Sequence, residues 1–188
     1  MADFDLPFAR TLNFEGKMLE NDVDDPGGMT YCGISRVFNG NWAGWVLVDA
    51  HLKASPDIHV ASMLCNADQE LFFLVMGFYR TQVWNRHNMG DLTYQELATQ
   101  FYDAVVNLGD RATKALQGLL GVTTDGDFGQ ISVGAANAKA DPSGLVDSFL
   151  EWRIQHYKDH AKPEYLNGLL KRCVRSDNAV PPQGAKTV

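Results

Sequence analysis

The stretch Phe14–Ser35, FEGKMLENDVDDPGGMTYCGIS, decides how the chain is read. It opens at the end of an apolar, helix-compatible run, turns acidic, and breaks at Pro26-Gly27-Gly28. Proline fixes φ and lacks a donor, while glycine admits backbone conformations closed to other residues, so the break is firm. The chain then resumes as Met29-Thr30-Tyr31-Cys32-Gly33-Ile34-Ser35. A carboxylate near the end of a helix, facing a glycine-rich loop with a hydroxyl and more carboxylates, has the parts of a hydrolytic site.

Working outward, residues 5–20 predict a helix with Leu6, Phe8, Leu12, Phe14 and Leu19 as its apolar set. Asp5 stands where it can cap, just before Pro7. Glu15 falls in the C-terminal half. One reading makes it a surface glutamate. The other makes it a general acid that Phe14 and the following loop desolvate, so that it keeps its proton near neutrality. Asp24, Asp25 and Thr30 follow it by 9, 10 and 15 positions. A glycosidase needs an acid for the leaving oxygen and a second group that holds water or stabilises positive charge at the anomeric carbon. Read by itself, Asp25-Pro26-Gly27-Gly28 is simply a good turn.

The rest of the composition sets bounds. The 188 residues suffice for one domain, or one domain in two lobes, with a real core. At 45% hydrophobic and 11% aromatic, the composition is that of an ordinary globular chain. No run approaches the roughly 18 apolar residues of a membrane helix. Nor does the N-terminus have the basic-then-apolar form of a secretory signal. The expectation is a protein made in the cytoplasm without stable membrane insertion. Net charge is −7 and uneven. Residues 1–30 carry seven acids against Arg10 and Lys17, a balance of −5. Residues 151–175 carry six bases against three acids, a balance of +3. The acidic front argues against nucleic acid, and the basic back reads as a solvated helix face. Cys32, Cys65 and Cys173 are odd in number and widely spaced, which fits reduced thiols rather than a disulfide framework or a zinc site.

Further along, Trp42 and Trp45 are either core or a sugar-stacking surface. Residues 66–83 predict a long buried helix. Leu92–Leu108 predicts another, with Thr93 and Glu96 spaced as a capping box. Asp125-Gly126-Asp127 lacks the later ligands of a calcium loop and reads as a turn, with Phe128 buried. A helix follows from about Pro142 to Ala161. His156 and His160 share one of its faces, with no third ligand for zinc.

Several of these segments carry a resemblance. Glu15-Gly16, then Asp25-Pro26-Gly27-Gly28, Thr30, Tyr31 and Gly33-Ile34-Ser35 resemble the Glu-Gly-Gly-Tyr…Asp-Pro-Gly-Gly-x-Thr-x-x-Gly-Ile-Ser signature of the glycoside hydrolase 108 family, phage endolysins and related N-acetylmuramidases. Lys17 and Met18 replace that signature's second glycine and tyrosine. The Glu–Asp–Thr order also resembles the phage-type lysozymes. There the spacing favours Asp24 rather than Asp25, whereas Asp25 fits the family motif. Tyr79-Arg80…Trp84 and Asp103-Ala104-Val105-Val106-Asn107-Leu108-Gly109 are similar to further family segments. Ala115-Leu116-Gln117…Asp125-Gly126-Asp127-Phe128-Gly129 resembles small peptidoglycan-binding modules.

The resemblance implies a mainly α, lysozyme-like α+β fold: two helical lobes with a small β-hairpin region near the catalytic glutamate. It implies a catalytic lobe over 8–92, a peptidoglycan-binding-like lobe over 93–176, and a flexible tail over 177–188. It implies an endolysin-type N-acetylmuramidase that acts on the β-1,4 bond between N-acetylmuramic acid and N-acetylglucosamine. Glu15 is the expected acid, and Asp25 and Thr30 place the water. Tyr31, Trp84 and Asn107 are expected to contact substrate, with core packing the competing role for Trp84 and helix capping the competing role for Asn107. No metal or organic cofactor is expected. The expected partner is bacterial peptidoglycan, the expected state a monomer, and the expected route to the cell wall a holin-type pore. The competing function is an inactive peptidoglycan-binding protein of a phage particle or secretion apparatus.

Overall fold

The computed structural model describes residues 1–16, 18–21 and 28–176. It is mainly helical with one small antiparallel sheet, and its chain contacts form two compact units. One unit is Phe4–Arg86. The other is Met1–Asp3 together with the chain from His87 onward. The expected tail over 177–188 lies outside the described residues.

The first unit starts with α1 (Asp5–Glu15). The predicted helix ran to residue 20, but Gly16, at φ 77° and ψ 166°, leaves helical geometry directly after Glu15. Leu19–Asn21 is instead the strand β1. It pairs with β2 (Met29–Tyr31), which pairs with β3 (Ile34–Ser35), so the sheet is an antiparallel meander. Only Cys32 and Gly33 separate Tyr31 from its partner Ile34, and both have positive φ (49° and 78°). Two residues of this kind form the hairpin turn whose twist matches that of the strands it joins.

Two further helices, α2 (Gly44–Ala54) and α3 (Ile58–Ala67), occupy a region whose sequence announced neither. Asp57 caps α3 by accepting from the backbone of His59 and Val60. The sheet docks on α3 through two hydrogen bonds. Leu19 N donates to Ser62 Oγ at 2.9 Å, and Tyr31 Oη donates to Asn66 Oδ1 at 3.2 Å.

The predicted long helix 66–83 is α4 (Gln69–Tyr79), capped by Asp68, followed by a π-helical stretch, Arg80–Asn85. Phe4, Phe8 and Leu12 of the N-terminal segment are buried, as are Tyr79 and Trp84. The rings interlock: Phe4–Phe8 at 5.3 Å, Phe4–Trp84 at 5.6 Å and Phe8–Tyr79 at 6.1 Å between centroids.

The second unit is organised around α5 (Gln95–Leu108), which is buried over most of its length. Around it lie α6 (Asp110–Leu120), α7 (Gln130–Asn137), α8 (Pro142–His160) and α9 (Pro163–Arg172). Phe101 of α5 meets Phe128 at 4.5 Å and Phe149 of α8 at 6.2 Å. The capping box does not form. Thr93 bonds Asn137 instead, while Glu96 is buried and accepts from Gln100 and from the backbone of Ser176. The Gln117 side chain explains the spacing of the 117–128 motif. Its nitrogen donates to Asp125 Oδ1 and Asp127 O, and its oxygen accepts from Gly126 N, so one amide clamps the whole turn. Phe128 is fully buried beneath that turn.

One expectation is corrected here. The basic stretch 151–175 is not simply a solvated face, because Arg153 and Arg172 are buried. Asp103 of α5, itself 1% exposed, takes both of them. Arg153 Nη2 lies 2.7 Å from Oδ2, and Arg172 Nη2 lies 2.8 Å from Oδ1. Burial alone would raise the Asp103 pKa, but the two guanidinium charges outweigh it and hold the carboxylate below its usual range.

Among the described residues, no helix is long and apolar enough to cross a membrane. Cys32, Cys65 and Cys173 are buried thiols, none of them in a disulfide.

Candidate active site

Glu15 is the last residue of α1, and it is half-buried. What lies beneath it is the hairpin turn. A Cβ built on Gly33 would stand 3.1 Å from Glu15 Oε2 and 2.6 Å from Tyr79 Oη. The carboxylate and the phenol therefore converge on the one position of the turn that has no side chain. Gly33 is required twice, for its positive φ and for the space it leaves. Tyr79 fixes the turn from below, because its hydroxyl donates to the Cys32 carbonyl across 2.8 Å in a buried contact. Three sequence-distant pieces thus set the carboxylate's surroundings: the end of α1, the β2–β3 turn and the end of α4.

Thr30 sits in β2, half-buried, paired with Glu20 on one side and Ser35 on the other. Its hydroxyl donates to Gly28 O at 3.4 Å. Asp25 and its rival Asp24 lie outside the described residues. Glu15 is thereby brought to the hairpin that carries Thr30.

The other expected contacts divide. Tyr31 is 2% exposed and donates to Asn66, and burial pushes its phenol pKa up. Trp84 is 5% exposed and packs on Phe4. Both sit as core side chains. Asn107, in the second unit, is exposed, and Gly109 rather than Asn107 is the C-cap of α5. Arg153 donates to the Tyr157 hydroxyl, which donates in turn to Asn107 Oδ1 at 2.7 Å. Arginine only donates, so the tyrosine proton points to the asparagine, and the Asn107 oxygen is the atom it meets. The Asn107 amide nitrogen is left to donate outward.

Tyr79 is the residue of this site whose role the sequence did not show. It read as an aromatic of a buried helix and as part of a family-like segment, with no link to Glu15. The dipeptide Cys32-Gly33 between two short apolar runs was a usable signal for the turn beneath Glu15. Among the described residues, no group of three or more His, Cys, Asp or Glu side chains is arranged to hold a metal ion.

The family model described as Glycosyl hydrolase 108 matches residues 8–109, more than half of the chain. The chain belongs to the glycosyl hydrolase 108 family. It is accordingly a glycoside hydrolase, and the family points to peptidoglycan as the substrate class. The match spans α1, the sheet, α2 to α4 and α5, and therefore both Glu15 and Asn107. Comparison with curated protein sequences gives no match. Among solved structures, SagA of Brucella abortus is similar, with a TM-score of 0.59 at 21% identity over 90% of this chain and 92% of that one. At that identity the likeness speaks for a shared fold, mainly helical with a small antiparallel sheet, of the lysozyme-like α+β kind.

Proposed function

We propose that this glycoside hydrolase is an N-acetylmuramidase that cuts the β-1,4 bond following N-acetylmuramic acid in peptidoglycan glycan strands. The observation that carries the reading is the Glu15 carboxylate at the end of α1, resting over the side-chain-free position of a hairpin turn that Tyr79 braces. Glu15 protonates the glycosidic oxygen as the leaving group departs. Asp25 and the Thr30 hydroxyl hold the water and balance the charge that develops at the anomeric carbon. Asn107 offers its amide nitrogen to a sugar acetamido oxygen. The chemistry needs no metal or organic cofactor. The physiological role that fits is that of an endolysin: made in the host cytoplasm, released through a holin-type pore, and acting on the wall as a monomer.

The test digests purified Gram-negative sacculi with the wild-type chain and with Glu15→Gln, with and without EDTA. New reducing ends are identified by mass spectrometry. The expected result is N-acetylmuramic acid ends from the wild type alone, unaffected by EDTA. N-acetylglucosamine ends would overturn the bond assignment, and unchanged release by Glu15→Gln would overturn the acid. A folded wild type that pellets with sacculi but releases nothing would favour a peptidoglycan-binding protein instead.

A further inference from the structure

The first unit holds a cleft that neither Glu15, Gly33 nor Tyr79 lines. Its volume is about 450 Å³, within the roughly 300–1,000 Å³ of small-molecule sites. One wall is the loop Phe38–Ala43, between β3 and α2. The other is formed by Gly77 and Phe78 at the end of α4 and by Thr81 and Gln82 of the π-helical stretch.

The lining has a distinct chemistry. It contains the rings of Phe38, Trp42 and Phe78, two side-chain amides and a hydroxyl beside a third amide, and no charged side chain. Trp42 is firmly seated. Its indole meets Trp45 at 5.3 Å and Phe78 at 6.3 Å, both edge-on, and its Nε1 donates to Leu74 O at 3.4 Å. The ring also occupies the space above Gly44, where a Cβ would come within 2.3 Å of it. The loop is pinned as well, because Asn39 O accepts from Trp45 Nε1 at 2.8 Å and the Asn39 amide donates to Ser35 O. By contrast, Asn41, Thr81 and Gln82 are exposed, and their side chains make no hydrogen bond among the described residues. Phe38 is 76% exposed, an unusual cost for a ring whose loop is otherwise anchored.

Seated rings surrounded by uncommitted amide and hydroxyl groups match the amphipathic faces of a sugar. The rings cover its C–H face, and the polar groups meet its hydroxyls and acetamide. Charge narrows the ligand further. The nearby cation on the loop, Arg36, is fully engaged by both oxygens of Asp49, at 2.6 and 2.7 Å. An anionic ligand finds no counter-charge in the lining, so desolvating it there is unfavourable. We infer that this cleft is a second carbohydrate site, which takes an uncharged N-acetylhexosamine unit of a glycan strand rather than a lactyl- or peptide-bearing one. The choice of an amino sugar rests on the muramidase reading. The cleft itself is independent of Glu15.

The test uses the full chain carrying Glu15→Gln, so that no ligand is consumed. It is titrated with N,N′,N″-triacetylchitotriose while the tryptophan indole N–H resonances are followed by NMR. The expected result is a saturable shift of the Trp42 resonance. Phe38→Ala and Gln82→Ala, both changes at exposed side chains, should each weaken binding about fivefold or more. Tyr165→Ala, an exposed ring of the other unit, should leave it unchanged. Maltotriose, neutral but without acetamido groups, should bind more weakly than chitotriose. The inference is overturned if Trp42 does not respond, if Phe38→Ala leaves affinity unchanged, or if maltotriose binds equally well. Failure of the sacculus digestion with an intact titration would remove the muramidase reading and leave the cleft. The reverse pattern would remove the cleft alone.

Discussion

Two carboxylates, Glu15 and Asp103, show what different surroundings make of the same functional group. Asp103 is sealed inside the second unit and gripped by two arginines, with every oxygen committed. It holds α5, α8 and α9 together. Glu15 ends its helix half in solvent, above a turn that leaves room for it. The first arrangement gives up chemistry for architecture. The second keeps an oxygen within reach of a ligand. The deeply buried acid with the shifted pKa is here the structural one.

The sharpest way to test the contrast is to remove each group. Glu15→Gln should lower the rate of glycan cleavage by about 10²–10⁴-fold, the usual contribution of a general acid, while changing stability by no more than about 0.5 kcal/mol. Reducing-end release and thermal melts check the two halves. Asp103→Ala should do the reverse. Stripping the shared partner from two buried guanidiniums should destabilise the protein by about 3–5 kcal/mol, read from denaturant unfolding. If the stability losses of the two variants were similar, the division of labour would fail.

A smaller effect is expected at Gly33. Alanine there must adopt a left-handed conformation and displace Tyr79 Oη or the Glu15 carboxylate, a destabilisation of about 1–2 kcal/mol accompanied by loss of activity. Full activity in Gly33→Ala would mean that the carboxylate needs no bare turn beneath it.

The smallest effect is a pH dependence. The folded-state pKa of Asp103 is depressed, so its contribution is fully present above the unfolded value of about 3.9 and is lost as pH falls through the folded value. The excess in Tm of the wild type over Asp103→Asn should be flat near neutrality and shrink below about pH 4. A constant excess down to pH 3 would show that the pairing does not titrate there.

The same contrast explains what could be read in advance. Glu15 and the α5 segment with Asn107 were visible through helical periodicity and the carboxylates, glycines and hydroxyl that follow Glu15, whereas the helix end at Gly16 and the turn at Cys32-Gly33 were not placed in advance. The clamp made by Gln117 was legible only as a spacing. The roles of Asp103, Arg153 and Arg172 were not legible, because 50 and 69 positions separate the aspartate from its partners. Sequence periodicity sees an arginine on a helix and assigns it to water. Tyr79 escaped for a related reason. Its ring belongs to the core pattern, and only its hydroxyl, reaching the Cys32 carbonyl 47 positions away, belongs to the site. Helices α2 and α3 were not legible from periodicity, and the clearest local mark of the second of them is the Asp57 cap.

The π-helical stretch after Tyr79 carries one more lesson. Leu71, Val75 and Tyr79 follow one another at the α-helical interval and share a buried stripe. Trp84 is five residues beyond Tyr79, and five residues make about 1.4 turns of an α-helix, which would swing the indole out of that stripe. The wider turn of Arg80–Asn85 returns it to the interior against Phe4. The segment therefore behaves as an absorbed insertion. Its tolerance is to be measured by changing chain length rather than side chains: deleting a single residue between Arg80 and Val83 would regularise the helix and set the tryptophan four residues beyond Tyr79, still on the buried stripe.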